Sequence, residues 1–271
     1  MDWDLIVACN NDDVLKTSLL SSPDHVLAKD LIVQKGFYSA SSAYNDAIQK
    51  TSSEIIVFAH QDVYLPPGWC NALEDALCRL EQQDPKWAVA GVFGVDADGS
   101  GKGCVYSTGL QRVVGQPLEF PVAVRSLDEM VLIVRRSAGL RFDDQLPGFH
   151  LYGTDICLEA SRRGYRSYAV PCFCIHNSVG IHILPSSYWI CYLYMRRKWW
   201  ADLPVVTPCL PITRWGGVAL RYLIGTMLLL VLRRVKIGQR VKDPAQLSMN
   251  LIDPNKEKNS NVICSPVSPL R

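Results

Sequence analysis

Short apolar runs alternate with helical segments over the first hundred residues. The apolar runs are DLIVAC, DLIVQ, EIIVFAHQDV and WAVAGVFGV, and the helical patterns include SASSAYNDAIQKT and a stretch from about Trp69. Alternation of this kind predicts βαβ units and a mostly parallel central sheet. The runs are rich in Val and Ile with little polar alternation, which is typical of strands covered by helices on both faces. We therefore predict an α/β fold.

After the first hundred residues, the alternation of predicted strands and helices is less regular. DADGSGKG is predicted to be a turn between strands, and VRSLDEMVLIVRRS a strand entered from a loop. YGTDICLEASRRGY is predicted to form a helix with Asp155 in its first turn, and Gly164 is expected to stop that helix. SYAVPCFCIH then predicts one further strand, which ends on His176.

Polar residues follow the first three predicted strands. Ligands of a parallel sheet bind at the carboxyl ends of its strands, so a nucleotide is expected to lie along these positions. We predict that the nucleotide contacts Cys9, Asn10, Gln34 and Gln61.

Composition limits the classes of function. A chain of 271 residues that is 48% hydrophobic and 20% charged is expected to fold as one catalytic domain with an appendage. The formal charge of +2 offers no broad excess of cations for phosphates, so no nucleic-acid partner is expected. The start, MDWDLIVACNND, has acids where a basic leader would stand, so we expect a cytoplasmic protein whose ten cysteines are reduced.

His60 and Asp62 end the third predicted strand two residues apart. On an extended chain, such residues point to the same side and can share one divalent cation. Taken without context, a solvated strand end is the simpler interpretation.

Four segments, in order, resemble glycosyltransferase family 2 and the related glycosyltransferase-like families. IIVFAHQDVYLPPGW is similar to their metal-binding segment, in which Asp-x-Asp ends a central strand before a Pro-Gly-Trp turn. SAYNDAIQKTSSE, with Asn45, resembles their A-x-N-x-G helix, and FHLYGTDICLEASRRGY resembles their E-D-x-D-L helix. IHNS resembles the late His segment that completes the metal site. The resemblance covers roughly residues 1 to 182. Each motif alone is weak evidence of the family, but four motifs in the family's order are specific.

The resemblance implies a GT-A (nucleotide-diphospho-sugar transferase) fold with a C-terminal helical extension. It also implies a hexosyltransferase-like enzyme that transfers a sugar from a nucleotide-diphosphate sugar to an acceptor. Asp62 and His176 are the implied metal ligands, with His60 beside them, and Asn45 is an implied donor contact. Mn²⁺ or Mg²⁺ would stabilise the leaving diphosphate, and imidazole ligands favour Mn²⁺.

Asp155 is expected to be the general base, because a carboxylate at the start of a helix in the pocket can take the acceptor's proton. A helix-capping aspartate is the alternative. The preceding aromatic loop suits sugar stacking, so His150 and Tyr152 are predicted acceptor contacts. Asp128 and Glu129 occupy the place where relatives line the acceptor pocket. A single base of this kind implies inversion at the anomeric carbon.

The sequence departs from the family pattern in four places. His60 replaces the first Asp of the metal motif, and Thr154 replaces the acid before the expected base. The second strand ends in Gln34 where relatives often have an Asp near the nucleobase, so a UDP-sugar donor is an assumption. Arg196 to Trp200 lack the Gln of the processive Gln-x-x-Arg-Trp motif, which favours single-sugar addition.

The amino-acid composition of the chain changes after about residue 183. We predict a nucleotide-binding half over about 1–95, an acceptor half over 96–182, a helical extension over 183–250 and a disordered tail over 251–271. The run from Val218 to Leu232 is almost continuously apolar and is followed in sequence by Arg233, Arg234 and Lys236. It predicts either a helix at the inner membrane surface, facing a lipid-linked or polysaccharide acceptor, or an ordinary helix packed on the sheet.

Two other functions stay open at this level. A nucleotidyltransferase would also bind a metal-bound nucleotide, but it would carry a Gly-rich basic loop where this chain has CNNDDVLK. A non-catalytic protein of GT-A fold could have lost its metal chemistry through His60, although Asp62, Asp155 and His176 together argue against such decay.

Overall fold

The structure is a computed structural model that describes residues 1–180, 183–232 and 238–252. Within these residues the strands are β1 (Trp3–Ala8), β2 (Asp30–Gln34), β3 (Ile55–His60), β4 (Val63–Tyr64), β5 (Trp87–Gly91), β6 (Phe93–Val95), β7 (Gly101–Ser107), β8 (Arg112–Gln116), β9 (Val122–Val124), β10 (Ser126–Leu127), β11 (Val131–Arg135), β12 (Arg166–Ala169) and β13 (Cys174–His176). The α-helices are α1 (Asp12–Thr17), α2 (Ala40–Ile48), α3 (Trp69–Gln83), α4 (Tyr152–Arg162), α5 (Ser186–Lys198), α6 (Gly217–Val231) and α7 (Pro244–Ile252). The predicted tail beyond Ile252 lies outside the described residues.

The central sheet has seven strands in the order β2-β1-β3-β11-β5-β12-β9. β1 pairs in parallel with both β2 and β3, as the alternation of strands and helices predicts. β11 runs antiparallel between β3 and β5, and β9 is antiparallel at the edge. β12 pairs in parallel with β5. Five strands therefore share one direction, and the predicted mostly parallel sheet is confirmed.

Two runs predicted as single strands are divided between two sheets. WAVAGVFGV forms β5 in the central sheet and β6 in a second sheet of order β10-β6-β7-β13-β4. SYAVPCFCIH likewise forms β12 in the first sheet and β13 in the second. Pro171 explains the second break, because a proline has no N–H to donate to a ladder. The predicted turn DADGSGKG does connect β6 to β7.

The core lies on both faces of the central sheet. Ile6 and Phe58 point to one face, where they pack with residues of α2, α4 and α5. Leu5 and Val57, one position along, point to the other face and pack with α3. Successive side chains of a strand alternate between faces, so both faces of these strands are apolar and buried. The strand ends remain free to form a site.

α5 contributes to the same core as α2 and α4. Its residues Tyr188, Cys191, Tyr192 and Met195 are buried at spacings of three and four, which place them on one side of a helix. The part of the aromatic and basic segment that forms α5 therefore packs against the α/β core.

Candidate active site

A cleft of about 440 Å³ opens at the carboxyl ends of β1, β2 and β3. This volume falls within the range of small-molecule and cofactor sites. The residues that line it are Ala8, Cys9, Asn10, Gln34, Gly36, Phe37, Tyr44, His60, Gln61, Asp62, Phe149, His150 and Tyr152. The structure thus brings together four predicted donor residues, two predicted metal ligands and two predicted acceptor residues.

Side-chain amides tie the strand ends together on the donor side. Gln61 Oε1 accepts hydrogen bonds from the backbone N–H of Asn10 (3.1 Å) and Asn11 (3.0 Å), and its Nε2 donates to Asn10 Oδ1 (2.6 Å). These contacts join the end of β3 to the end of β1. Gln34 is buried, and its Nε2 donates to Ala43 O of α2 at 2.9 Å. Side-chain amides at the ends of β2 and β3 therefore hold the donor side of the cleft in place.

Two imidazoles and a carboxylate meet at one edge of this cleft. One ligand atom from each of His60, Asp62 and His176 lies within 4.8 Å of the other two. His176 reaches the site because β13 pairs antiparallel with β4, which places His176 opposite Val63. Its Nε2 is 3.5 Å from Asp62 Oδ1. A mixed nitrogen and oxygen donor set of this kind fits a transition-metal cation such as Mn²⁺.

The charge states of Asp62 and His60 suit a metal site, whereas for His176 burial is outweighed by the hydrogen bond and charge of Asp62, which raise its pKa. Burial opposes ionisation of Asp62, but the hydrogen bond and charge of His176, with the charges of His60 and Arg240, hold its pKa below the usual range. Burial lowers the pKa of His60, with Asp62 partly offsetting it. Asp62 is therefore ionised and His60 neutral near pH 7, which are the forms that bind metals.

Tyr152 orients the His60 ring. The Tyr152 hydroxyl lies 2.8 Å from His60 Nε2 and donates to the backbone carbonyl of Glu129 at 3.3 Å. This contact engages Nε2 and leaves Nδ1 as the ring nitrogen of His60 outside it. An outer hydrogen bond that orients the ring in this way is typical of metal-binding histidines.

The predicted acceptor residues lie on the His60 side of the cleft, where Tyr152 contacts that ring directly. His150 packs against the ring of Tyr188, with centroids 5.7 Å apart, and its Nε2 is 3.3 Å from Ser187 Oγ. Glu129 lies just outside the lining, and its carboxylate accepts from the backbone N–H groups of Gly153 and Leu151. Burial, reinforced by the charge of Asp128, raises the pKa of Glu129 to about 8. The charge of Asp128 also acts on His60 and His176.

Asp155 is not among the residues that line the cleft. It lies in the first turn of α4, as predicted, but it is 3% exposed. Its Oδ1 accepts from Trp199 Nε1 at 2.7 Å, and its Oδ2 accepts from Lys198 Nζ at 2.9 Å. Lys198 also contacts Asp143 at 2.7 Å. These contacts favour a structural role, and the predicted role as a base stays a prediction.

Asn45 is also away from the cleft surface. Its Nδ2 donates to Phe142 O and to Asp144 Oδ1, both at 2.8 Å, and its Oδ1 accepts from Phe142 N at 3.0 Å. The amide thus ties α2 to the loop after β11. The predicted donor contact by Asn45 stays a prediction.

Two aromatic rings and an arginine are among the residues at the site that were not predicted from the sequence. Phe37 and Tyr44 line the cleft, and Arg240 Nη2 lies 3.4 Å from Asp62 Oδ2. Tyr44 belongs to the segment SAYND, whose motif points to the site. Phe37 follows the Gln34 strand end closely in sequence. Arg240 is 178 positions from Asp62, and no local sequence pattern indicates that the two residues are in contact.

Comparison with known proteins decides the family. The model of the Glycosyltransferase like family matches residues 5–186, a stretch that includes every residue lining the cleft together with His176. The chain belongs to this family. Membership in it, together with a mostly parallel sheet flanked by helices on both faces, confirms the predicted GT-A fold.

Other similarities are more distant. A protein of Fuscovulum blasticum named "ATP synthase subunits region ORF 6" is 32% identical over 145 residues, which are 50% of this chain and 56% of that protein. The match thus spans little more than half of that relative's length. The mannosyltransferase PcManGT from Pyrobaculum calidifontis, in complex with GDP-Man and Mn²⁺, is 11% identical with a TM-score of 0.43, covering 91% of this chain and 68% of that one. S. aureus TarS 1-349 in complex with UDP is 12% identical with a TM-score of 0.40, covering 65% and 57%.

Proposed function

We propose that this protein is a glycosyltransferase that moves one sugar from a nucleotide-diphosphate sugar to a hydroxyl acceptor, with a divalent cation bound by His60, Asp62 and His176. The convergence of one ionised carboxylate and two imidazoles at the edge of a nucleotide-sized cleft carries this proposal. A bound cation would supply positive charge that stabilises the diphosphate as it leaves.

The donor is proposed to lie along the ends of β1, β2 and β3. Phe37 and Tyr44 supply apolar and aromatic surface for a nucleobase or ribose, and Asn10 and Gln61 supply polar groups beside them. The nucleotide is proposed to be UDP, and the panel of diphosphates described in the Discussion tests that choice. In this arrangement the anomeric carbon is proposed to lie towards Tyr152 and His150.

Direct detection of turnover tests the proposal. The protein is incubated with Mn²⁺ and each of UDP-glucose, UDP-N-acetylglucosamine and GDP-mannose, and the released nucleoside diphosphate is measured with and without EDTA. A glycosyltransferase releases the nucleoside diphosphate slowly to water even when its acceptor is absent. Release of pyrophosphate from a nucleoside triphosphate instead would identify a nucleotidyltransferase. If neither product is released, the result would support a non-catalytic protein.

Glu129 is the group that we propose as the proton acceptor. The acceptor hydroxyl oxygen attacks the anomeric carbon and its proton passes to the Glu129 carboxylate. The bond from that carbon to the diphosphate breaks, and its electron pair leaves with the diphosphate. A base placed opposite the leaving group gives inversion, which the anomeric proton coupling of the product reports. A base whose pKa lies near the working pH is well matched to this task.

We expect Glu129→Gln to lower the transfer rate by about 10²-fold while the melting temperature stays within a degree or two. The Gln side chain keeps an oxygen for the N–H groups of Gly153 and Leu151 but cannot take a proton. Because the pKa of Glu129 is raised to about 8, the wild-type rate should rise between pH 7 and pH 8.5 as the carboxyl ionises. A variant that keeps the wild-type rate and this pH profile would remove Glu129 from the mechanism.

The exposure of α6 supports a membrane-proximal acceptor. Among the side chains of α6, all of which the structure describes, Thr226 is the buried one. Large apolar residues on several sides of the helix are at least 37% exposed, namely Val218, Leu220, Leu223, Ile224, Met227, Leu228, Leu229, Leu230 and Val231. A helix this length extends about 22 Å, less than a hydrocarbon core of ~30 Å. Over residues 1–180, 183–232 and 238–252, no helix is both long and apolar enough to cross a bilayer.

We propose that α6 lies in the interfacial layer of a membrane. A protein partner seated on one side of the helix would leave its other apolar sides in water, whereas lipid surrounds them all. Exposed Trp215, Arg214 and Arg221 beside or on the helix suit the headgroup region. Tyr222 of α6 packs against Trp189, next to the Tyr188 that contacts His150. The acceptor edge of the cleft is thereby connected to the proposed membrane contact.

Flotation with lipid vesicles tests the membrane contact. We expect the wild type to float with phosphatidylserine-containing vesicles, and the variant Ile224→Glu with Leu228→Glu to lose at least tenfold in bound fraction. Val26→Glu with Leu27→Glu is the matched control, because those two residues are similarly exposed (70% and 57%, against 60% and 57%) and lie outside α6. Equal flotation of both double variants, or no flotation of the wild type, would contradict the proposal.

A further inference from the structure

The segment after α6 returns to the edge of the cleft. Arg240 Nη2 lies 3.4 Å from Asp62 Oδ2, and Arg240 Nε donates to the backbone carbonyl of Asn177 at 3.0 Å. Asp62 therefore has two neighbours, with Oδ1 near His176 and Oδ2 near the guanidinium. Neither the metal cluster nor the cleft lining includes Arg240.

Specific backbone contacts hold this segment in place. Asn177, which is 1% exposed, accepts from Val241 N through its Oδ1 at 2.8 Å and donates to Val241 O through its Nδ2 at 3.0 Å. Asn177 N in turn donates to Asp62 O at 2.7 Å. A Cβ atom built on Gly238 would lie 2.3 Å from Gly109 O, so a glycine is required for this close approach. The position of Arg240 thus follows from a fitted contact between the segment and the residue after His176.

We propose that Arg240 is a ligand of the donor's diphosphate and that, before the donor binds, it holds the metal-binding carboxylate of Asp62 in an ion pair. This inference rests on the proposed function, since it requires a diphosphate and a cation at the same site. It adds a residue from outside the cleft to that site and makes binding of the two ligands interdependent.

Charge explains the coupling. The guanidinium of Arg240 keeps its positive charge at all working pH values, and its side chain is 38% exposed. A divalent cation that binds Asp62 without a nucleotide must displace this ion pair and sit close to a like charge. A diphosphate that arrives with the cation brings phosphate oxygens, which pair with a guanidinium through two parallel hydrogen bonds. Arg240 therefore disfavours the cation on its own and favours the cation with the nucleotide.

Separate binding titrations test this inference without measuring turnover. The affinity for Mn²⁺ alone, and the affinity for UDP and for GDP at saturating Mn²⁺, are measured calorimetrically for the wild type and for Arg240→Gln. We expect Arg240→Gln to bind Mn²⁺ alone severalfold to tenfold more tightly and to bind the preferred diphosphate about tenfold more weakly. Arg240→Lys, which keeps the charge without the paired donors, should fall between them for the diphosphate.

Lys242→Gln provides the matched control, because Lys242 is an exposed cation of the same segment. Both affinities should stay at the wild-type value in this variant, and melting curves confirm that each protein is folded. If the wild type binds both ligands and Arg240→Gln binds them with unchanged affinities, or with both weakened, this inference is wrong while the proposed function stands. If the wild type binds neither Mn²⁺ nor a diphosphate, the proposed function fails first.

Discussion

Asp62→Asn is expected to abolish metal-dependent binding of the nucleoside diphosphate and to lower the transfer rate by about 10³-fold, equivalent to about 4 kcal/mol. The substitution keeps the shape of the side chain but removes the negative charge that a divalent cation requires. The amide would also lose its attraction to His176 and Arg240. Calorimetric titration of the diphosphate with and without Mn²⁺ measures the loss, which we expect to exceed tenfold in affinity.

A charge-matched control separates this effect from a general change in charge. Asp75→Asn removes one carboxylate from an exposed position on α3, away from the cleft, and should leave both the titration and the rate unchanged. Melting curves show whether Asp62→Asn is folded. An unchanged Mn²⁺ titration in folded Asp62→Asn would remove Asp62 from the metal site.

Asp155→Asn is expected to lower the free energy of unfolding by about 1–2 kcal/mol while activity per folded molecule persists. The carboxylate of Asp155 is buried and accepts from both the Trp199 indole and the Lys198 ammonium group. An amide can still accept from Trp199, but it leaves Lys198 paired with Asp143 alone in a partly buried position. The expected cost is that of one lost hydrogen bond to a charged group, because Lys198 keeps Asp143 as a partner.

Urea unfolding, together with rates normalised to folded protein, decides the role of Asp155. Glu129→Gln serves as the reference in the same assays, because it should show the opposite pattern of near-normal stability and a low rate. If Asp155→Asn instead melts like the wild type and transfers sugar at least 10² times more slowly, Asp155 is the base and Glu129 is not.

The elements that were predicted correctly depend on local sequence. The first three strands and helices α2, α3 and α4 carry their own apolar periodicity, so their positions can be inferred without the rest of the chain. The grouping of His60, Asp62 and His176 was also accessible, because the motifs that carry them keep the order of the family. The sheet order supplies what the motifs do not, since pairing of β13 with β4 brings His176 beside Asp62.

The features that sequence could not provide depend on long-range contacts. The motif and helix position of Asp155 predict a base, and its contacts with Lys198 and Trp199, which favour a structural role, come from the packing of α5. Arg240 meets Asp62 because the Asn177 side chain binds the backbone of Val241. The run WAVAGVFGV is apolar throughout, so its division between two sheets is decided by strand pairing and not by hydrophobicity.

A panel of nucleoside diphosphates tests whether the protein binds a nucleotide together with a divalent cation. The melting temperature of the wild-type protein is measured with UDP, GDP, ADP and CDP, each with Mn²⁺ and with EDTA. A ligand that binds the folded state at about 100 times its dissociation constant stabilises it by about 2.7 kcal/mol, which gives a clear shift. We expect at least one diphosphate, UDP foremost, to raise the melting temperature with Mn²⁺ and to lose most of that effect in EDTA. No shift with any of the four in the presence of Mn²⁺ would contradict this expectation.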